Sequence, residues 1–115
     1  MVVGIEDKNP RARTHLLVIS REHIRSLNEL QPAHVELLRH MIGTGQELLH
    51  AQGHVLPSSY QLGFHNPPFT SVDHLHLHCL GLPFVPAWNQ LRFTPSPLNS
   101  YLSADTVLQR LSQTQ

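Results

Sequence analysis

Three histidines at every second position are the residues most suited to chemistry in this sequence. His74, His76 and His78 alternate with apolar residues in the segment HLHLHCL. Because successive side chains of a β-strand point to opposite faces, this spacing predicts a strand with three imidazoles on one face and apolar side chains, including Cys79, on the other. The apolar face would anchor the strand to the core and hold the imidazoles in place.

Imidazoles arranged in this way support two kinds of chemistry. A neutral imidazole can act as a nucleophile or carry a proton, because the ring titrates near physiological pH. Imidazole also binds zinc and other divalent metals. His74 and His78 would lie about 13 Å apart on an extended strand, too far for both to reach one ion at about 2.1 Å, although adjacent pairs could do so. A row of solvated histidines on an edge strand is the third interpretation, but Thr, Lys and Glu are more usual there.

If the middle histidine is a nucleophile, its ring must have a particular tautomer. For His76 to attack, its reacting nitrogen must carry a lone pair and no proton. We therefore expect the other ring N–H of His76 to be donated to a backbone carbonyl, which fixes the tautomer.

Four strand-like and two helical segments surround the histidine motif. The strands are predicted over residues 2–7, 15–20, 60–65 and 74–80. A long helix is predicted from Pro32, where apolar residues begin to recur at helical spacing, to Gly53, which suits a left-handed stop. The Pro-rich stretch 82–101 is expected to be irregular, and a short helix is predicted over 104–111. The fold class is therefore α+β, an antiparallel sheet of four to five strands with one long helix and a short C-terminal helix.

Composition predicts a small domain and disfavours a nucleic-acid polymer as its partner. The 115 residues suffice for one modest core, so a single domain is expected over 1–115. Lys plus Arg equal Asp plus Glu at eight each, so a basic field for DNA is missing and a nucleic-acid partner is not expected. The sequence contains neither a signal-peptide pattern nor an apolar run of about 20 residues, which predicts no membrane association. The single cysteine suits a cytoplasmic or nuclear protein, with Cys79 buried rather than nucleophilic.

Two segments resemble the signatures of the histidine triad superfamily. DHLHLHCL is similar to its His-φ-His-φ-His-φ-φ motif, and THLLVISREHIRSLNEL is similar to its upstream segment, in which a histidine precedes an apolar run. The resemblance extends from about Val2 to Leu111. It is strongest to the nucleotide-binding (Hint) branch, through LGFHNPPFTSVDHLHLH and the later SYLSADTVLQRL. The first strand and helix usual in that branch have no counterpart here, so we expect the sheet to lose cover near Ile5.

The resemblance implies a nucleotidyl hydrolase, and we expect it to use no cofactor or metal. Its substrates would be adenosine 5'-monophosphoramidates, and by extension aminoacyl-adenylates, cleaved to AMP through an adenylyl-histidine intermediate. By position, His76 matches the family's nucleophile and His78 the residue that contacts the phosphate or leaving group. His74 matches the residue that orients the network, and His15 matches the histidine that buttresses the triad.

The resemblance also implies a set of nucleotide-binding residues beside His76 and His78. Asp7 matches the acidic residue that holds the ribose hydroxyls, Lys8 follows it beside the nucleoside, and Ser71 lies near the departing amine. The remaining implied contacts come from His65, Phe69 and Thr70. Many relatives have Asn where this chain has His65.

Two other functions stay open at this stage. One is removal of AMP from DNA ends. The segment Gly63-Phe64-His65 resembles the branch of the superfamily that has this activity. The balanced charge of the chain and the absence of zinc-finger cysteines disfavour this function. The other is a non-catalytic nucleotide-binding regulator. A homodimer is expected, because the family forms two-fold dimers and a small core with an exposed sheet edge favours one. Trp88 is expected to pack in the fold or at that interface.

Overall fold

Five antiparallel strands and two α-helices make up the described part of the chain. The computed structural model describes residues 2–65, 74–95 and 101–113. The strands are β1 Val2–Glu6, β2 Ala12–Ser20, β3 Tyr60–His65, β4 His76–Phe84 and β5 Tyr101–Ser103, and the helices are α1 Val35–Ala51 and α2 Ala104–Gln113. The sheet order is β1-β2-β4-β3-β5, with every neighbouring pair antiparallel. The predicted α+β class is confirmed.

Helix α1 begins and ends close to the predicted positions. Its first predicted turn, Pro32–His34, is a 3₁₀ turn that leads into the α-helix. Gly53, at φ +93°, ends the helix. The amide of His54 donates to the Leu49 carbonyl at 2.9 Å and that of Gly53 to the His50 carbonyl at 3.0 Å, which is a Schellman motif. The glycine is needed because this backbone conformation is strained for other residues.

The two faces of the sheet have different neighbours. One face packs against α1 and forms the main core, in which Val18, Leu77 and Cys79 are fully buried. Burial raises the pKa of the Cys79 thiol to about 12, as expected of a structural rather than a reactive cysteine. The opposite face carries the histidines, because Leu17 pairs with His78 and directly opposed residues share a face.

The structure corrects the predicted limits of two strands. Strand β4 begins at His76 rather than at residue 74, and it continues to Phe84 through a proline. The segment before it is held by the Leu75 amide, which donates to the Ile24 carbonyl at 2.6 Å outside the sheet ladder. Strand β2 begins at Ala12, three residues before the predicted start.

The described parts of the Pro-rich stretch, residues 82–95 and 101, are more ordered than predicted. They contain a 3₁₀ helix over Ala87–Phe93 and end in β5, whose first residue is Tyr101. Phe93 and Tyr101 form a second small core on the histidine face together with Ala12 and Leu80. Long-range burial of these aromatic rings therefore orders a segment that has no local periodicity.

Trp88 does not pack within this chain, because its side chain is 64% exposed. The alternative expectation, a place at a dimer interface, stays a prediction. Within the described ranges, neither helix combines the length and apolar character needed to cross a bilayer.

Candidate active site

Three neighbouring strands bring four imidazoles together on the open face of the sheet. His76 and His78 come from β4, His15 from β2 and His65 from the end of β3. The His78 ring is central: its centroid lies 5.0 Å from that of His76, 5.2 Å from His15 and 5.2 Å from His65. The cluster thus joins residues separated by up to 63 positions in the sequence.

His76 has the tautomer that a nucleophile needs. Its Nδ1 lies 2.8 Å from the His74 carbonyl oxygen, and since a carbonyl can only accept, Nδ1 must carry the proton. The lone pair of the neutral ring is then on Nε2. The sequence-based expectation that a backbone carbonyl fixes this tautomer is confirmed.

The tautomers of His15 and His78 follow from one backbone amide. The Arg11 N–H donates to Nδ1 of His15 at 3.0 Å, so the proton of neutral His15 is on Nε2. That Nε2–H donates to Nδ1 of His78 at 2.9 Å. Neutral His78 therefore carries its own proton on Nε2, as a hydrogen-bond donor.

Burial keeps the two inner histidines neutral. Burial lowers the pKa of His15 to about 4, although the nearby Asp7 carboxylate opposes the shift. The pKa of His78 lies well below its usual 6.5, mainly because of burial and further because of the neighbouring His76. Both rings therefore donate and accept hydrogen bonds at neutral pH without carrying charge.

These lowered pKa values predict acid destabilisation. The unfolded chain takes up a proton on each ring near pH 6.5, whereas folded His15 takes up its proton near pH 4. The contribution of the neutral rings to the free energy of unfolding is therefore complete above pH 6.5 and is lost as the pH falls toward 4. His15 alone accounts for up to about 3 kcal/mol. We expect the melting temperature to fall between pH 7 and pH 5, with a shallower slope for His15→Gln and an unchanged slope for the exposed control His40→Gln. Equal slopes for wild type and His15→Gln would contradict this assignment.

His74 does not join the imidazole cluster. It precedes β4, its Nε2–H donates to the Ser20 carbonyl at 2.8 Å, and its ring packs against His23. The prediction of three imidazoles in one row is therefore wrong for His74, because the strand starts after it. Its carbonyl nevertheless orients His76.

A cavity of about 360 Å³ opens beside the cluster, near the small end of the range of ligand pockets. Among the predicted site residues, the cavity is lined by Asp7, Lys8, His15, His65, His76 and His78. Phe69, Thr70 and Ser71 lie outside the described residues. The role of each residue toward a nucleotide stays a prediction.

His65 lines the cavity as an acceptor rather than a donor. Its Nε2–H donates to the Arg92 carbonyl at 2.7 Å, which leaves the lone pair on Nδ1. Burial lowers its pKa, an effect that the Arg92 carbonyl partly offsets. A neutral His65 therefore cannot donate a ring proton to a phosphate as the amide of Asn could.

Two arginines were missed by sequence reasoning. Arg11 and Arg92 both line the cavity, and neither forms an ion pair with a carboxylate in the described ranges. Partial burial and the proximity of Arg11 lower the pKa of Arg92. Arg11 could have been suspected from the charged segment DKNPRAR before β2, whereas Arg92 lies in a segment without a periodic pattern.

The metal alternative can be tested against the tautomers. Within the described residues, the one set of three ligand atoms close enough for a single ion, all within 4.8 Å, comes from Asp7, His15 and His78. His15 would have to offer Nε2 to the ion while Nδ1 accepts the Arg11 N–H, which requires an imidazolate. This set therefore fits a hydrogen-bonded chain better than a cation.

The candidate active site is thus a cluster of histidines on an antiparallel sheet beside a small cavity. Residues 1–93 match a protein family that is described as "Scavenger mRNA decapping enzyme C-term binding". The bifunctional adenosine 5'-phosphosulfate phosphorylase/adenylylsulfatase HINT4 of Arabidopsis thaliana is 43% identical over 113 residues, which cover 96% of this chain and 76% of that protein. Adenosine 5'-monophosphoramidase HINT3 of Mus musculus is 35% identical over 79 residues, 69% of this chain and 48% of that protein.

A solved structure agrees with these relatives. A HIT family hydrolase from Legionella pneumophila has a TM-score of 0.66 and 32% identity, covering 71% of this chain and 74% of that one. The chain therefore belongs to the histidine triad (HIT) family, and the resemblance noted in the sequence is confirmed.

Proposed function

We propose that this protein hydrolyses adenosine 5'-monophosphoramidates to AMP through an adenylyl group carried on His76. The observation that carries the proposal is the tautomer of His76, whose Nδ1–H is held by the His74 carbonyl while Nε2 keeps its lone pair. An imidazole with a fixed tautomer beside a cavity of about 360 Å³ suits nucleophilic attack on phosphorus.

The neighbouring groups supply what the displacement needs. Nε2 of His76 bonds to the α-phosphorus, the P–N bond breaks, and the leaving nitrogen takes up a proton from solvent water. The ring then carries positive charge, which the His74 carbonyl stabilises through Nδ1–H. His78 offers its Nε2–H to a phosphoryl oxygen, where charge develops. Water then attacks phosphorus, the bond between phosphorus and Nε2 of His76 breaks, and a proton of the water returns to solvent, which releases AMP and free His76.

The test is hydrolysis of a fluorogenic adenosine phosphoramidate compared with AMP binding. Release of one AMP per leaving amine, with turnover above the uncatalysed rate, is the expected result. AMP binding without turnover of any adenylyl substrate would favour the non-catalytic regulator instead.

The arginines favour a second candidate, hydrolysis of adenylyl substrates with an anionic leaving group. Arg11 and Arg92 place two positive charges beside the cavity, without carboxylate partners among the described residues, and an anion would relieve their repulsion. An amine leaving group gains nothing from them. The Arabidopsis relative is named for adenosine 5'-phosphosulfate, an adenylyl substrate whose leaving group, sulfate, is an anion.

The two candidates predict different effects of Arg92→Gln. If Arg92 binds the leaving group, kcat/KM falls about tenfold or more for adenosine 5'-phosphosulfate and less than about twofold for the phosphoramidate, as expected for loss of one charge-assisted contact. Steady-state kinetics with both substrates provide the measurement. Arg39→Gln, an exposed arginine on α1 paired with Glu36, is the matched control and should change neither rate. Equal losses for both substrates would show that Arg92 does not distinguish leaving groups.

A further inference from the structure

His65 has a ring nitrogen that can accept a proton beside the cavity. Its Nε2–H donates to the Arg92 carbonyl at 2.7 Å, so the lone pair of the neutral ring is on Nδ1. The ring also lines the cavity that His76 and His78 face. The hydrolysis of a covalent intermediate requires a group of this kind, because the attacking water must lose a proton.

The other three imidazoles of the cluster cannot take up this proton once His76 carries the adenylyl group. His76 then holds phosphorus on Nε2 and donates Nδ1–H to a backbone carbonyl. Nδ1 of His78 accepts the His15 N–H, and Nε2 of His78 carries a proton. Both ring nitrogens of His15 are engaged in hydrogen bonds. Within this cluster, His65 is therefore the imidazole that keeps a lone pair for a proton.

The strand register places His65 next to the nucleophile. Gly63 of β3 pairs with His78 of β4, and the same antiparallel register continued for two residues sets His65 opposite His76. Directly opposed residues share a face of the sheet. Burial is the main cause of the lowered pKa of His65, and the proximity of His76 contributes to it. The acidic side chains that line the cavity come from the end of β1 and the residue after it, and β2 lies between β1 and β4.

The partner of Nδ1 must be a hydrogen-bond donor. The phosphoryl oxygens of an adenylyl group are acceptors, so they cannot bind a lone pair directly. A water molecule can donate one proton to Nδ1 of His65 and present its oxygen to phosphorus. The tautomer of His65 therefore suits a group that holds the attacking water and removes its proton.

We propose that His65 is the general base for hydrolysis of the adenylyl group on His76, an inference that rests on the proposed function. The water oxygen bonds to phosphorus while the bond from phosphorus to Nε2 of His76 breaks, and the electron pair of that bond returns to Nε2. The water proton passes to Nδ1 of His65. The resulting imidazolium keeps its Nε2–H on the Arg92 carbonyl and then releases the Nδ1 proton to solvent.

Rapid-quench kinetics of the full chain with the fluorogenic phosphoramidate separate the two steps. His65→Phe retains a ring beside Phe93 and Tyr101 but has no lone pair. We expect the amine to leave in the first turnover at nearly the wild-type rate, while AMP release slows by about 10²-fold or more. Covalent AMP then accumulates on the protein and is detected by mass spectrometry. His65→Gln, which can still donate to the Arg92 carbonyl, should give the same result, and the exposed control His40→Gln should behave as wild type.

Hydroxylamine distinguishes a base from a structural role. An amine attacks phosphorus with its own lone pair and loses its proton after the bond has formed, so it needs a general base less than water does. Hydroxylamine should therefore speed the loss of the adenylyl group from His65→Phe by a much larger factor than from wild type.

Two results would overturn the role of His65 while the proposed function stands. They are wild-type rates of AMP release in both His65 variants, and equal factors of acceleration by hydroxylamine in His65→Phe and wild type. Failure of the proposed function has a different signature. In that case neither wild type nor either variant forms covalent AMP, and the role of His65 fails with it.

Discussion

Replacing His76 with alanine is expected to lower kcat for an adenosine phosphoramidate by at least about 10³-fold, because the variant lacks the proposed nucleophile for covalent attack on phosphorus. His15 and His78 cannot substitute for it. The His15 ring is enclosed, with both nitrogens engaged, and neutral His78 carries a proton on its outer nitrogen.

The loss should leave the fold and the cavity in place. AMP affinity of His76→Ala should change by less than about tenfold, since Asp7 and the other lining groups remain. His40→Ala removes an exposed histidine of α1 and serves as the control, with unchanged kcat. If His76→Ala retained even a tenth of the wild-type kcat at an unchanged melting temperature, His76 could not be the nucleophile.

Gly63→Ala is expected to have the largest effect on stability, a loss of about 3 kcal/mol. Gly63 pairs with His78 across the sheet, and a Cβ at this position would run into the ring and hydroxyl of the buried Tyr101. Tyr101 has little room to move, because its ring packs against those of His65 and Phe93. The added methyl group would therefore strain the packing of the aromatic rings beside the site.

Chemical denaturation of two glycine variants tests this prediction. Gly43 lies within α1, where a Cβ meets nothing within 4 Å, so Gly43→Ala should stabilise the protein by up to about 1 kcal/mol through helix propensity. Opposite signs for Gly63→Ala and Gly43→Ala are expected. A neutral Gly63→Ala would show that Tyr101 does not occupy the space above Gly63.

The parts of the site that could be predicted are those set by local periodicity. Alternation along HLHLHCL placed His76 and His78 on one face and Cys79 on the other, because that geometry depends only on the strand. His74 could not be placed in this way. The start of β4 depends on the bond from Leu75 to Ile24, which is distant in sequence.

Other parts depend on long-range packing. Strand β5 and Arg92 lie in or at the end of a Pro-rich stretch, and burial of Phe93 and Tyr101 positions them. Likewise, nothing in the spacing of Asp7, His15 and His78 indicates that their side chains lie close together, because β1, β2 and β4 must first form the sheet. The contacts that join the strands determine the chemistry of the site, while the pattern within each strand supplies its residues.

The stereochemical course at phosphorus tests the covalent role of His76 most directly. An adenosine substrate made chiral at the α-phosphorus by sulfur substitution would be hydrolysed in H₂¹⁸O, and the configuration of the product determined by ³¹P NMR. Two successive displacements, first by Nε2 of His76 and then by water, predict overall retention of configuration. Inversion would mean that water attacks the substrate directly and that no adenylyl-histidine forms.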